Sequence, residues 1–107
     1  MTVRESQVRT LLAELANLVR RCERRTKLER MELFIKRVQS ARPEVGLEVE
    51  LRPCPADGDI AQQIIAEIEE KVARWEDDSG QWVERISLVW RGDPPARIPE
   101  DLHFRQA

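Results

Sequence analysis

The sequence predicts a single α+β domain in which a pair of N-terminal helices packs on a small sheet. Two apolar stripes at helical spacing precede Pro43 and predict the helical pair, over residues of about 3–24 and 27–41. Downstream, two segments with alternating apolar residues flank another helical stripe, which predicts a strand–helix–strand segment. The 107 residues suffice for one core. We therefore assign residues 1–92 to the domain and residues 93–107 to a proline-containing C-terminal tail.

The first predicted helix has one continuous apolar face. Residues 2–5 form a Thr-Val-Arg-Glu sequence, which matches the capping-box pattern of a helix start. Seven apolar side chains then follow at intervals of three or four residues. They are Val8, Leu11, Leu12, Leu15, Leu18, Val19 and Cys22. This spacing predicts an amphipathic helix over residues of about 3–24.

The second apolar stripe points in a different direction from the first. On a common helical wheel it is rotated by about 165°. Its members are Leu28, Met31, Phe34, Ile35 and Val38. The rotation predicts a second helix over residues of about 27–41, and one long helix contacted on opposite sides remains the alternative. Pro43 ends the segment because the residue before a proline is disfavoured in the α conformation.

A strand is predicted at residues 47–51, where apolar residues alternate with two glutamates. Leu47, Val49 and Leu51 share one face, and Glu48 and Glu50 share the other. Strict alternation of this kind is typical of a strand with one face on the core and one face in water.

A helix and a second strand complete the domain. The helix is predicted from about residue 60 to residue 76, with Asp59 as its N-cap, and the strand from residue 81 to residue 91. The helical stripe consists of Ile60, Ile64, Ile65, Ile68, Val72 and Trp75, and Trp82, Ile86, Leu88 and Trp90 share one strand face. Two strands alone form a marginal sheet. We therefore expect dimerisation or a partner to complete it.

Charge is divided unevenly along the chain. Residues 1–42 contain 11 Lys and Arg against 5 Asp and Glu, for a net charge of +6, whereas residues 43–107 contain 7 against 15, for a net charge of −8. A basic cluster in the first part is a candidate polyanion-binding surface, because a row of cationic side chains can neutralise successive phosphates. It consists of Arg20, Arg21, Arg24, Arg25, Lys27 and Arg30.

A second candidate surface is apolar and aromatic, and would contact another protein. It comprises Leu28, Met31, Phe34, Ile35, Trp82 and Trp90. Core packing between the last helix and the last strand is the favoured use of Trp82 and Trp90. Either one, if exposed, would be a natural interface residue, because tryptophan is enriched among the residues that dominate interface energetics. We expect a non-catalytic interaction or regulatory module that forms a homodimer or belongs to a larger complex. The alternative is an accessory protein that binds nucleic acid through the basic cluster.

The sequence predicts no catalytic, cofactor or metal site. Cys22, Cys54 and His103 are the only Cys and His residues, whereas a structural zinc site requires four ligands. Cys22 lies on an apolar stripe and is expected to be buried, and Cys54 lies between prolines and could be exposed. No apolar run approaches the length of a membrane span, and the N-terminus has no signal-peptide core. We therefore expect a cytoplasmic protein.

Overall fold

The computed structural model describes residues 5–26, 30–43, 45–55, 57–92 and 103–106. Two helices and four strands lie in these ranges and confirm the α+β class. In chain order they are α1 (Glu5–Thr26), β1 (Glu32–Val38), β2 (Gly46–Cys54), α2 (Gly58–Ser79), β3 (Val83–Trp90) and β4 (His103–Gln106).

The four described strands form one mixed sheet in the order β1-β2-β3-β4. β1 runs antiparallel to β2, whereas β3 runs parallel to both β2 and β4. The parallel pair β2 and β3 is connected through α2, which is the strand–helix–strand segment that the sequence predicts. Because one chain supplies four strands, the expectation that dimerisation or a partner completes the sheet is not supported. β4 comes from residues that the sequence assigns to the tail.

The second predicted helix, over residues of about 27–41, is wrong. Residues 32–38 of this segment form β1 instead, which pairs with β2 along its whole length. Leu33 and Ile35 alternate in the strand and pack against the core opposite Leu51 and Val49. The same apolar residues also fit helical spacing, and pairing with β2 decides for the strand over the helix. The residues 27–29 lie outside the described ranges.

The core lies between the two helices and one face of the sheet. Trp75 of α2 donates a hydrogen bond from Nε1 to the carbonyl oxygen of Gln7 in α1, at 2.8 Å, and so links the helices. Trp90 of β3 is fully buried and donates from Nε1 to the carbonyl oxygen of Pro55, also at 2.8 Å. Neither described helix is long and apolar enough to cross a membrane.

Both ends of α2 are capped, which explains why it is longer than the apolar stripe. The carboxylate of Asp57 accepts hydrogen bonds from the backbone N–H groups of Asp59 and Ile60, at 3.0 and 3.1 Å. Asp57 is therefore the N-cap, and the prediction of Asp59 in that role is wrong. At the other end, Gly80 adopts a left-handed conformation with φ of 71° and donates from its N–H to Glu76. A glycine suits this position because it has no Cβ to oppose a positive φ.

The prediction that β2 has one face in water is also wrong. Glu48 is only 8% exposed and Glu50 is fully buried. The sheet face that carries them lies opposite the helices, and we call it the open face. Its glutamates are buried because long cationic side chains from neighbouring strands cover them.

Candidate functional site

The strand register places a group of charged residues together on the open face. Lys36 of β1, Glu48 of β2 and Arg85 of β3 are cross-strand neighbours, and Phe34, Glu50 and Ser87 form the next row. Cross-strand neighbours on one face bring their side chains into contact. Accordingly, Arg85 Nε lies 2.6 Å from Glu48 Oε2.

Glu50 is the centre of this group, because three cations from three strands converge on its carboxylate. Lys36 Nζ lies 3.2 Å from Oε1, Arg52 Nε lies 3.5 Å from Oε2, and Arg105 forms a further ion pair with Oε1. The side chains of these cations are 47%, 47% and 58% exposed, whereas that of Glu50 is fully buried. Glu50 therefore pairs with three cationic side chains that remain accessible to solvent.

One oxygen of Glu50 is less well satisfied than the other. Within the described part of the chain, Oε2 is buried and has no hydrogen-bond partner. The 3.5 Å separation from Arg52 Nε is within ion-pair range but long for a hydrogen bond. The guanidinium of Arg52 also lies over the ring of Phe34, 4.5 Å from its centroid. Stacking on the ring and attraction to Glu50 together restrain the position of Arg52.

Glu50 and its three cations, Lys36, Arg52 and Arg105, form a group that we call the Glu50 cluster. A cavity of about 480 Å³ opens beside it. It lies where the parallel strands β2 and β3 end and β1 begins. Four arginines and one carboxylate dominate its wall. The described lining residues are Arg30, Glu32, Arg52, Pro53, Val89, Arg91 and Arg105. The guanidinium group is a planar fork of N–H donors that matches the oxygens of carboxylates and phosphates. This wall is therefore suited to binding an oxyanion, and we call it the arginine cavity.

The structure brings three of the six predicted polyanion-binding residues together at one cavity. Arg20, Arg21 and Arg24 line a second surface cavity of about 550 Å³ together with Lys71 of α2, Glu14 and Asn17. We call it the helical cavity. Arg25 lies 3.7 Å from Glu67, and Arg30 lines the arginine cavity. Lys27 lies outside the described residues.

Arg20 belongs to a local network as well as to the helical cavity. Its Nη1 lies 2.6 Å from Glu23 Oε1, and the same oxygen accepts a hydrogen bond of 2.6 Å from the backbone N–H of Met31. Partial burial raises the pKa of Glu23, but these two hydrogen bonds outweigh it and lower that pKa overall. The network fastens the end of α1 to the residue that precedes β1.

The residues predicted to form a protein interface are also separated. Met31 and Trp90 are 1% and 0% exposed and belong to the core. Phe34 lies on the open face, whereas Ile35 packs against the core from the other face. Leu28 lies outside the described residues.

Trp82, the remaining predicted interface residue, is partly buried just before β3. Its Nε1 lies 3.3 Å from Ser40 Oγ and 3.2 Å from Glu84 Oε2. The guanidinium of Arg42 lies 4.5 Å from the centroid of its ring. These contacts fasten the segment after β1 to the start of β3, which gives Trp82 a structural role.

Both cysteines are buried and neither forms a disulfide, and this burial is as expected for Cys22 but not for Cys54. Burial raises the pKa of Cys54 to about 12. The pKa of Cys22 is raised by burial and by Glu67, whose Oε2 lies 3.6 Å from the sulfur. Both thiols are therefore protonated at neutral pH and are poor nucleophiles. Among the described residues, no group of three or more Cys, His, Asp or Glu side chains is placed to hold a metal ion.

Sequence reasoning missed the Glu50 cluster and most of the arginine cavity. One signal was present in the sequence. Glu48, Glu50 and Arg52 are alternate residues of β2 and therefore share one face of that strand. The contributions of Arg91 and Arg105 depend on how β3 and β4 pair, which local spacing does not encode. The chain matches no protein-family model, no curated protein and no solved structure. Its function is therefore inferred from the residues themselves.

Proposed function

We propose that this protein is a non-catalytic interaction module with a regulatory role, whose protein partner docks on the open face of the sheet. The observation that carries this proposal is the arginine cavity, where four arginines from separate segments surround one opening. Arginine is enriched in the cores of protein interfaces, because one side chain offers apolar surface, several donors and a weakly hydrated charge. The wall provides groups that recognise an anion.

Charge complementarity favours an acidic partner surface. Among the described residues, the wall of the arginine cavity has four cations, Arg30, Arg52, Arg91 and Arg105, against one carboxylate, Glu32. A second copy of this chain offers such an acidic surface on α2. Its exposed carboxylates include Asp59, Glu70, Asp77 and Asp78. Another acidic protein subunit would satisfy the same requirement. Both forms of association should steer the encounter electrostatically and weaken as salt rises.

Solution mass measured by light scattering at about 0.1 and 0.5 M NaCl tests self-association. We expect more than the 12.5 kDa of one chain at low salt. The variant Arg30→Glu/Arg91→Glu should return the mass to that of a monomer, because both side chains are exposed and line the cavity. Arg9→Glu/Arg21→Glu, which reverses two exposed charges on α1 and leaves the acidic surface of α2 unchanged, is the matched control.

The same variants test a different protein as the partner. Proteins that co-purify with the wild-type chain and the control, but not with Arg30→Glu/Arg91→Glu, would identify a partner of the open face. A chain that is monomeric in every condition, and whose co-purifying proteins are the same for all variants, would contradict the proposal.

A nucleic-acid-binding accessory function is the second candidate, and the helical cavity favours it. Arg20, Arg21, Arg24 and Lys71 place four cations around one depression between the two helices. Only Glu14 among the lining residues carries a negative charge. Cations this close to one another can neutralise adjacent phosphates of a polynucleotide. The described residues that line it differ from those that line the arginine cavity, so the two candidates can be tested separately.

Binding to nucleic acid, and the variants that weaken it, distinguish this candidate from the first. Binding to a mixed nucleic-acid pool should fall linearly on a plot of log affinity against log salt concentration. The variant Arg21→Gln/Arg24→Gln removes two exposed charges without touching the Arg20–Glu23 pair, and should reduce the slope by about two. Binding that is unchanged in this variant, or equally reduced in Arg9→Gln/Arg74→Gln, would reject the candidate.

We also propose a cytoplasmic location. Both cysteines are buried, and neither forms a disulfide. Free thiols persist in a reducing compartment, whereas secreted small domains commonly pair theirs.

A further inference from the structure

We propose that the arginine cavity binds the dianion of a phosphate monoester. This inference deepens the proposed function, because the phosphate would mark the partner that docks on the open face. The cavity volume of about 480 Å³ falls within the range of about 300–1,000 Å³ that is usual for ligand pockets. Its described wall combines four guanidinium groups with little apolar surface, since only Pro53 and Val89 are apolar.

The placement of the arginines favours an anion with several oxygens. Arg52 and Arg105 come from β2 and β4, which lie on either side of β3, and both are held by Glu50. Arg30 precedes β1 and Arg91 follows β3, so the wall draws on four separate segments. A carboxylate has two oxygens and suits one or two such forks. A phosphate monoester has three terminal oxygens and can accept paired hydrogen bonds from several arginines at once.

The charge of the site also matches a dianion better than a monoanion. In the described wall of the cavity, four arginines accompany a single carboxylate, that of Glu32. A phosphate monoester carries about −1.5 to −2 at pH 7, whereas a carboxylate carries −1. Glu32 is the one acidic residue in the described wall and opposes any anion. Its cross-strand neighbour Arg52 offsets that charge.

Glu50 prepares part of the site before any ligand arrives. Its carboxylate is buried beneath Arg52 and Arg105 and attracts both, which limits the conformations open to these long side chains. Arginines restrained in this way lose less conformational entropy when they bind an anion. Both side chains nevertheless remain accessible to solvent, at 47% and 58% exposure. The cluster thus holds cations towards solvent instead of burying them.

Titration calorimetry at constant ionic strength tests the proposal with defined probes. The probes are inorganic phosphate, glycerol 3-phosphate and a short capped peptide with one phosphoserine, and the unphosphorylated peptide is the reference. We expect saturable binding of the phosphate probes with one site per chain. Arg30→Gln/Arg91→Gln should weaken it at least ten-fold, since each bidentate arginine contact contributes strongly to anion affinity. Arg9→Gln/Arg74→Gln should leave it unchanged. A thermal melt of each variant verifies that it is folded.

The result for each probe has a defined meaning. Tighter binding of the phosphopeptide than of glycerol 3-phosphate would assign the phosphate to a side chain of a partner, and the reverse order would assign it to a free metabolite. Both results support a phosphate site. No saturable binding of any phosphate probe, or an equal loss in Arg9→Gln/Arg74→Gln, would overturn it. If the probes fail while Arg30→Glu/Arg91→Glu still disrupts association, the phosphate site is wrong and the proposed interaction function stands.

Discussion

The two faces of the sheet use the same strands but bury their central residues by different physics. Towards the helices, Val49, Leu51 and Leu88 are each 0% exposed among other apolar side chains. On the open face, Glu50 is also 0% exposed, but what covers it is cationic. The first face stabilises the fold by removing apolar surface from water. The second stabilises it less, because desolvation offsets much of the attraction within an ion pair. Burial of a residue alone therefore does not show whether it belongs to the hydrophobic core or to a charged cluster.

The difference also supports the proposal that a partner binds on the open face. Apolar side chains in place of these charges would also bury this face of the sheet. Such a replacement is often neutral for stability or stabilising. Glu50 and its cations instead keep charged groups in fixed positions at the surface. We regard the open face as the functional face and the helix-covered face as its support.

The largest expected effect is on cysteine reactivity, which reports how well the helix-covered face excludes solvent. Burial raises the pKa of Cys54 from an ordinary 9.0 to about 12, so its thiolate fraction near pH 8 should fall about a thousand-fold. We expect neither cysteine to react with a thiol reagent in the folded protein at pH 8, and both to react in denaturant. Mass spectrometry counts the modified thiols. Rapid labelling of Cys54 in the native protein would mean that this end of the sheet is open.

The next contrast is between the centres of the two faces. Leu88→Ala should destabilise the protein by about 2–5 kcal/mol, because it removes a fully buried side chain and leaves a cavity. Urea unfolding followed by circular dichroism measures the change. Leu12→Ala is the matched control, since Leu12 is 39% exposed and should cost far less. Equal effects of the two substitutions would show that the apolar face is not the main source of stability.

Glu50→Gln should cost less than Leu88→Ala, about 1–3 kcal/mol, although Glu50 is equally buried. The half-exposed Lys36, Arg52 and Arg105 can return to water when the carboxylate loses its charge, and this limits the loss. The same urea experiment checks it. A loss above that of Leu88→Ala would reverse the ranking of the faces and make the charged cluster the principal stabiliser.

The smallest effect is expected at Glu23, which lies outside both faces and joins α1 to β1. Its pKa is lower in the folded protein than in the unfolded chain, so its contribution is present above the unfolded pKa and is lost as the pH falls through the folded pKa. Glu23→Gln should therefore cost about 1 kcal/mol at pH 7 and less near pH 2, because acid protonates the carboxylate. Thermal melts at the two pH values test this. A difference that persists undiminished in acid would show that packing, not charge, accounts for it.

The elements that the sequence predicted correctly are those whose pattern is local and unambiguous. The first helix, β2, α2 and β3 each show one clear periodicity, and the structure has each of them within a few residues of the predicted bounds. The segment of β1 fits both a helical and a strand pattern, so local information did not decide it. Of the candidate site, the sequence identified Arg30 alone among the residues that line the arginine cavity.

By itself, the sequence determined the α+β class, the amphipathic helices α1 and α2, and the strand–helix–strand connection, because periodic burial is written into residue spacing. Only the tertiary structure decided that residues 32–38 form a strand, that residues 103–106 join the sheet, and that Glu50 is buried. Each of these depends on pairing between residues far apart in the chain. A strand satisfies its backbone hydrogen bonds through a neighbour, and a buried carboxylate requires cations that other strands supply. A local sequence pattern indicates neither the neighbouring strand nor these cations.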